Sequence, residues 1–453
     1  MARVLVVSAE PLGDLMAGPA IRALELARAL AGSNRVALSA PGLVDSGIEG
    51  VAAVDAGFKD YDALLAAVRS SDLVVAQALP PRLLTRLPSS GARLIADLYN
   101  PTVFEVLEAG SGKPHAARQR QQRTVARAAG TMLAAASRVM CASESQRDLW
   151  LGMMASLGRI PLEAYDADPT FRSYVDVVPF GIPPEPPAPA AQDPIREMFP
   201  SIGRDDLVLL WGGGAWNWLD PETAIDAIGL VESRRGDRPP VHLVFMGVGR
   251  PATEELDAMA ATDSMLAHLA GSGLEGHRVH VNRGWVPYRD RAGWLLASDA
   301  ALSAHRDHLE SRLAFRTRML DAIWANLPIV ATSGDELAAA VEAEGLGAVA
   351  PPNDAAALAS AIESLLDGDG AMDAARDSLT KTAARRTWNE CAMPLEAWCA
   401  DPRGGLKPDS RLLRRLTIAQ YPEIVVETAD TDGIAGAARR VWTNLRRAAS
   451  GDR

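Results

Sequence analysis

Cysteine is scarce in this 453-residue chain: only Cys141, Cys391 and Cys399 occur. Their number is odd and their spacing is not that of a metal site. This argues against a disulfide framework and for a reducing compartment. Lysine is scarce too, limited to Lys59, Lys113, Lys381 and Lys407. Any phosphate must therefore be met by arginine, backbone amides or helix ends. There is no basic excess: the formal net charge is −11, which argues against nucleic acid as a partner. No uninterrupted apolar stretch reaches the length of a membrane span. The first residues run straight into an apolar strand, Arg3 to Ser8, with no secretory leader pattern. The expected location is the cytoplasm.

What is present is the composition of a soluble globular protein, 48% hydrophobic and 23% charged, in a chain long enough for two or three domains. Short apolar runs alternate with helical patterns. Val4–Val7, Arg35–Ser39, Leu73–Ala76, Leu94–Asp97, Arg138–Cys141 and Val175–Pro179 read as strands, and Ile21–Leu30 reads as a helix stopped at Gly32. A proline-dense segment, Pro183 to Pro189, interrupts the series and cannot pair in a sheet. A second series follows: Leu207–Trp211, Val241–Met246, Val279–Val281, Ala300–Ser303, Ile329–Ala331 and Ala348–Ala350, with helices at Asp335–Glu344 and Ala355–Leu366. Alternation of this kind implies parallel sheets built from βα units. The expected fold is α/β, two Rossmann-like doubly wound domains facing across a cleft, with a C-terminal helical extension. The expected boundaries are residues 1–182, a linker at 183–200, a second domain at 201–385 and a helical tail at 386–453 that crosses back to the first domain. Ala384–Asp401 is expected to be helical and carries Trp388 and Trp398.

The most chemical stretch is His305 to Thr332, a charged loop running into an amphipathic helix that ends at Asn326, before an apolar strand after Pro328. In open α/β sheets, ligands bind outside the carboxyl ends of strands. Gly212-Gly213-Gly214 also follows a strand. A nicotinamide site would place an acid at the end of the next strand, about twenty residues on. Glu232 has that spacing but precedes the strand at Val241, so close backbone approach to a phosphate or sugar is the better reading. His305 and His308 lack a third ligand at convincing spacing, and no metal is expected. Ser143-Glu144-Ser145-Gln146 reads as a helix N-cap. Trp216 and Trp218 are either packing residues or a stacking edge for a sugar.

Asp321-Ala-Ile-Trp-Ala-Asn-Leu-Pro328-Ile-Val resembles the Glu-Ala-Met-Ala-x-Gly-Leu-Pro-Val-Val motif of GT-B glycosyltransferases of the GT4 type, also called group 1. Val177-Val-Pro-Phe-Gly-Ile182 resembles the end of that family's first domain. Leu207–Ala227, and Val244-Phe-Met-Gly-Val-Gly249 followed by Gly284-Trp-Val-Pro287, resemble its donor domain. The resemblance spans about residues 1–400 and is most specific at Asp321–Val330.

The resemblance implies a retaining enzyme that moves a sugar from a nucleoside diphosphate sugar to an acceptor hydroxyl without a metal or other cofactor. It implies a donor site of Gly213, Gly214, Gly249, Val286, Phe315, Thr317 and Asp321, with Asp321 receiving the ribose hydroxyls. It also implies that the amides near Phe315, Arg316 and Thr317 meet the diphosphate at a helix start. Gly18, Asp97 and Tyr99 would form the acceptor side, with Arg22 one helical turn after Gly18. The chain departs from the family twice. The sugar-binding acid eight residues before Asp321 is replaced by Leu313, which leaves Glu310, three residues upstream, as the candidate. The Arg and Lys of the first loop and helix of the donor domain are absent, so Arg316 and Arg318, with Arg312, are expected to supply the charge. The expected catalytic set is thus Glu310, Arg316 and Arg318.

The expected acceptor is a carbohydrate, a lipid-linked sugar or a small molecule, with cell-surface polysaccharide or glycoconjugate synthesis as the context. The alternatives are an inactive nucleotide-sugar-binding partner subunit and a natural-product glycosyltransferase of the same fold. The basic stretches Arg411–Arg415 and Arg439–Arg447 suggest peripheral contact with an anionic membrane at its inner face. The competing reading is a helix packed on the first domain with its arginines outward.

Overall fold

The computed structural model describes residues 1–14, 16–249 and 260–419. The first sheet contains β1 (Arg3–Val7), β2 (Arg35–Ala40), β3 (Val51–Asp55), β4 (Leu73–Ala76), β5 (Arg93–Asp97), β6 (Arg138–Cys141) and β7 (Val175–Val177), ordered β3-β2-β1-β4-β5-β6-β7. The second contains β8 (Leu207–Trp211), β9 (Val241–Phe245), β10 (Val279–Val281), β11 (Ala300–Ser303), β12 (Ile329–Thr332) and β13 (Gly347–Ala350), ordered β10-β9-β8-β11-β12-β13. Among the described residues every strand pair within these two sheets is parallel. Central strands such as Leu73–Ala76 and Val241–Phe245 are buried along their whole length, because helices cover both faces.

In each sheet the chain order reverses once, between β1 and β4 and between β8 and β11. Loops diverge from the carboxyl ends of the strands at such a point and leave a crevice for ligand. In the second domain those loops are Gly212–Gly214 after β8 and the His305 segment after β11.

The domains are joined twice. After β7, Phe180 and Ile182 are buried in a core that includes side chains of both sheets. The chain returns through Arg386–Trp388, where the Ile182 amide donates to Arg386 and the Trp388 amide to Ile182, at 2.7 and 3.0 Å. Gly181 is required here, since a Cβ would lie 2.5 Å from the Trp388 backbone. The helix Trp388–Ala400 then packs on the first helix, Gly18–Leu30. This helix begins at Trp388, not at Ala384: the Thr387 hydroxyl caps it by accepting from the Glu390 amide. Leu406, Leu412 and Leu413 complete the core on the other face of the first sheet. Arg411, Arg414 and Arg415 point outward while Leu412 and Leu413 point in, which is the packed-back arrangement. Arg439–Arg447 lie outside the described residues. No described helix is long and apolar enough to cross a membrane.

Two expectations need correction. The helix expected after His305 is two helices, Leu309–Leu313 and Arg318–Trp324, separated where Ala314 turns extended. The second ends before Asn326, whose φ of 52° is the left-handed conformation that closes helices. The strand Val51–Asp55 escaped the pattern reading. It is an edge strand with mixed burial, so it lacks a continuous apolar run.

Candidate functional site

The site is built on the second domain's switch point. Gly213, at φ 81°, turns the chain sharply after β8. Beyond it, Trp216 and Trp218 stack with ring centres 5.9 Å apart and lie half-buried against the second domain's core, which is the packing role. Asn217 between them donates to Glu108 O at 3.2 Å and Ala109 O at 3.4 Å in the first domain, and accepts from the Ala261 amide.

Arg318 brings the arginine segment onto this glycine loop. Its guanidinium lies over the Trp211 ring, 5.2 Å from the centroid, and Nη2 donates to Gly214 O at 3.0 Å. Nη1 is buried without a hydrogen-bond partner. Among the described residues no carboxylate is within ion-pair distance of it. Burial first, and then the like charge of Arg316, push its pKa down to about 9, so it is still cationic at neutral pH. The residue as a whole is half-buried; a partly desolvated cation without a carboxylate partner is electrostatically prepared for an anion.

Arg316 is arranged differently. Its Nη1 and Nη2 donate to Glu310 Oε1 and Oε2 at 3.1 and 2.7 Å, and both side chains are buried. Nη2 also reaches Ser311 Oγ. Both oxygens of Glu310 are therefore held by Arg316. Arg312 is exposed. Leu313 offers its carbonyl to Gln146 Nε2 of the first domain at 2.9 Å, so the segment at the vacant acidic position is tied across the cleft. Phe315 stacks with Phe180 of the hinge at 6.3 Å. Thr317 stands at the N-cap of Arg318–Trp324 but makes no side-chain cap. That helix has only seven residues, so its dipole is small beside the Arg318 charge.

The histidines serve the scaffold. His308 caps Leu309–Leu313 through Nδ1, which accepts from the Ser311 amide. His305 is fully buried, with Nδ1 3.1 Å from Thr332 Oγ1. Burial, then Arg316 and His308, lower its pKa to about 3, so its imidazole is neutral at pH 7. Neighbouring Asp335 caps the helix Glu336–Glu344 and is pushed up to about 6 by burial. Among the described residues, no three His, Cys, Asp or Glu side chains are grouped so that they could hold a metal ion.

Asp321 does not pair with Arg318 three residues before it. Its Oδ1 accepts from Arg291 Nε at 3.0 Å. Gly249 and Val286 belong to loops after β9 and β10 that press together. The Gly249 amide donates to Gly284 O, and a Cβ on Gly249 would lie 2.5 Å from Arg283 O. This close backbone approach explains Gly249 without any ligand.

On the first domain, Gly18 opens the helix Gly18–Leu30, and a Cβ there would meet nothing within 4 Å. Asp97 takes both arms of Arg22 at 2.7 and 2.8 Å, and Arg22 also donates to Val178 O and Pro179 O. Tyr99 and Phe180 flank that guanidinium. Burial holds the Tyr99 phenol well above its usual range, hence neutral. Sequence reading missed Glu105, on the helix Thr102–Ala109 that meets Leu309–Leu313 across the cleft. Burial, then the charge of Glu310, raises its carboxyl to about 7. It also missed Arg291. Neither residue lies in a local motif, and both gain their places only through tertiary packing.

Residues 206–368 match the sequence model of the family described as glycosyl transferases group 1. No curated protein matches the chain by sequence. Among solved structures, the chain is similar to the sucrose-phosphate synthase of Thermosynechococcus elongatus. That match has TM-score 0.60 and 17% identity, covering 88% of this chain and 98% of that one. It is similar to HepE of Anabaena, solved in complex with UDP and glucose, with TM-score 0.62 and 14% identity, covering 88% and 100%. It is also similar to WaaG, a glycosyltransferase of lipopolysaccharide biosynthesis, with TM-score 0.55 and 17% identity, covering 89% and 100%. The fold is GT-B.

Proposed function

We propose that this protein is a glycosyltransferase that takes a nucleoside diphosphate sugar as donor and moves the sugar to an acceptor hydroxyl held in the cleft. The observation that carries this reading is Arg318, a half-buried cation whose Nη1 is buried without a partner and which has no described carboxylate within ion-pair distance, seated on the glycine loop at the switch point. The leaving diphosphate gains negative charge as the glycosidic bond breaks, and a preorganised guanidinium in a water-poor site stabilises that charge. Arg318 takes the part that the family gives to the Arg and Lys of the first loop and helix of its donor domain. Arg316, neutralised by Glu310, keeps the segment before Arg318 in place. Asp321 keeps its second oxygen for the ribose. A phosphate oxygen of the leaving group can take the acceptor proton, so no separate base is needed. The GT4 resemblance supports retention of anomeric configuration and a mechanism without metal. The likeness to HepE, solved with UDP and glucose, supports a nucleotide-sugar donor, and the likeness to WaaG, of lipopolysaccharide biosynthesis, supports a carbohydrate or lipid-linked acceptor in glycoconjugate synthesis.

A panel of UDP, GDP and ADP, each free and as its glucose, mannose or galactose conjugate, tests the reading by thermal stabilisation. A ligand that binds only the native state raises the melting temperature. At least one nucleoside diphosphate should do so, and its sugar conjugate should release it on incubation. No stabilisation by any nucleotide would refute the donor reading.

One observation favours the second reading, a donor-binding subunit without activity. Leu313 stands at the first acidic position, and Glu310 is fully engaged by Arg316. Binding without nucleotide release, for every donor in the panel and with acceptor sugars added, would decide for that reading.

A further inference from the structure

Arg291 begins the short helix Arg291–Leu296 and is buried although it carries a charge. Its guanidinium lies 3.6 Å from the centre of the Tyr288 ring and 4.5 Å from that of Trp324. Nη1 donates to Tyr288 O at 2.8 Å, and Nε donates to Asp321 Oδ1 at 3.0 Å. The side chain is therefore fixed by two rings, one carbonyl and one carboxylate. Trp324 is itself held, by Nε1 donating to Glu185 O at 2.7 Å. Asp321 keeps 38% of its side chain exposed, against 9% for Arg291. Its Oδ2 accepts no hydrogen bond from a described residue.

We propose that Arg291 is the positioning residue for Asp321, holding one carboxylate oxygen so that the other is presented to the ribose hydroxyls of a bound nucleotide. This rests on the ribose reading of Asp321. The geometry supplies the reason. A guanidinium can grip a carboxylate with two arms, which would consume both oxygens. Here Nη1 is on Tyr288 O, and Nη2, the arm that would complete a side-on grip, donates to no described residue, so Asp321 is held through Nε alone and one oxygen stays available. Aspartate is a methylene shorter than the family's glutamate, so a fixed rotamer matters more. Lysine could not replace Arg291, because its ammonium lacks the plane that fits between two rings.

The test is calorimetric binding of UDP, GDP and ADP, each against its 2′,3′-dideoxy counterpart, to the wild-type protein and to Arg291→Met, Arg291→Lys and Asp321→Asn. A hydrogen bond to a charged group corresponds to about a ten- to hundredfold preference for the ribonucleotide in the wild type. Arg291→Met and Asp321→Asn should each reduce that preference to within about threefold, given how readily a freed carboxylate turns away. Affinity for the dideoxynucleotide should be unchanged in both, which a merely structural role would not produce. Arg291→Lys should fall with Arg291→Met, and it keeps the proposal testable if the methionine variant does not fold. Full ribose preference in the Arg291 variants, with loss in Asp321→Asn, overturns the positioning role and leaves the ribose reading standing. Equal binding of the two sugars by the wild type overturns both. Binding of no nucleotide overturns the donor reading itself.

Discussion

Glu310 and Arg316 face each other with two hydrogen bonds, at 3.1 and 2.7 Å, in a buried pocket between two short helices. Removing one partner strands a charge in low dielectric and is expected to cost about 3–5 kcal/mol. Arg316→Ala and Glu310→Ala should each lose that order of stability in urea titrations. The volume-matched pair Glu310→Gln with Arg316→Met should lose much less than the sum of the single changes. The coupling checks the assignment of this pair to loop support. If Glu310→Ala kept its stability and lost only turnover, Glu310 would be a sugar ligand instead.

Gly249 tests whether the loop after β9 is shaped by packing. A methyl group there would stand 2.5 Å from Arg283 O, a backbone atom that cannot swing aside. Gly249→Ala should destabilise the protein by about 1–3 kcal/mol, in the range of overpacking changes. Its melting temperature should fall even without nucleotide.

Glu105 gives a pH signature. Its carboxyl is raised from 4.5 to about 7, burial being the larger cause and Glu310 the second. The folded protein therefore binds this proton more tightly than the unfolded chain. The stabilising contribution is complete below pH 4.5 and is lost as pH rises through about 7. Glu105→Gln should match the wild type at low pH and exceed it at pH 8 by on the order of 1–2 kcal/mol. Parallel stability curves from pH 4 to 8 would contradict the assignment.

The sheets were readable from sequence because parallel strands buried on both faces are continuous apolar runs, as in Leu73–Ala76 and Leu207–Trp211. The edge strand Val51–Asp55 lacked that mark. Arg318 and the glycine loop could each be singled out from sequence, the first as an arginine just before the Asp321 motif in a chain that lacks the family's other cations, the second by its position after a strand. That Arg318 reaches Gly214, 104 residues away, is a product of the switch point. The partners of the charged groups were less readable. Residues three apart share a helix face, which would put Arg318 beside Asp321, but the fold supplies Arg291, 30 residues upstream. The family resemblance offered Glu310 to a sugar, but the break at Ala314 folds Arg316 back onto it.

The proposed transfer depends on Arg318 being held ready for a diphosphate. A partly desolvated cation without a carboxylate partner adds nothing to the stability of the free protein, so Arg318→Met should leave that stability unchanged or raise it. The same variant should lose about ten- to hundredfold in affinity for the nucleoside diphosphate that the wild type binds, the scale of a charge-assisted contact. Calorimetric titration of that nucleotide into wild type and Arg318→Met, beside a denaturation curve of each free protein, measures both quantities. Weakened binding with undiminished stability is the predicted result. Unchanged affinity in a destabilised variant would contradict it and make Arg318 a packing residue.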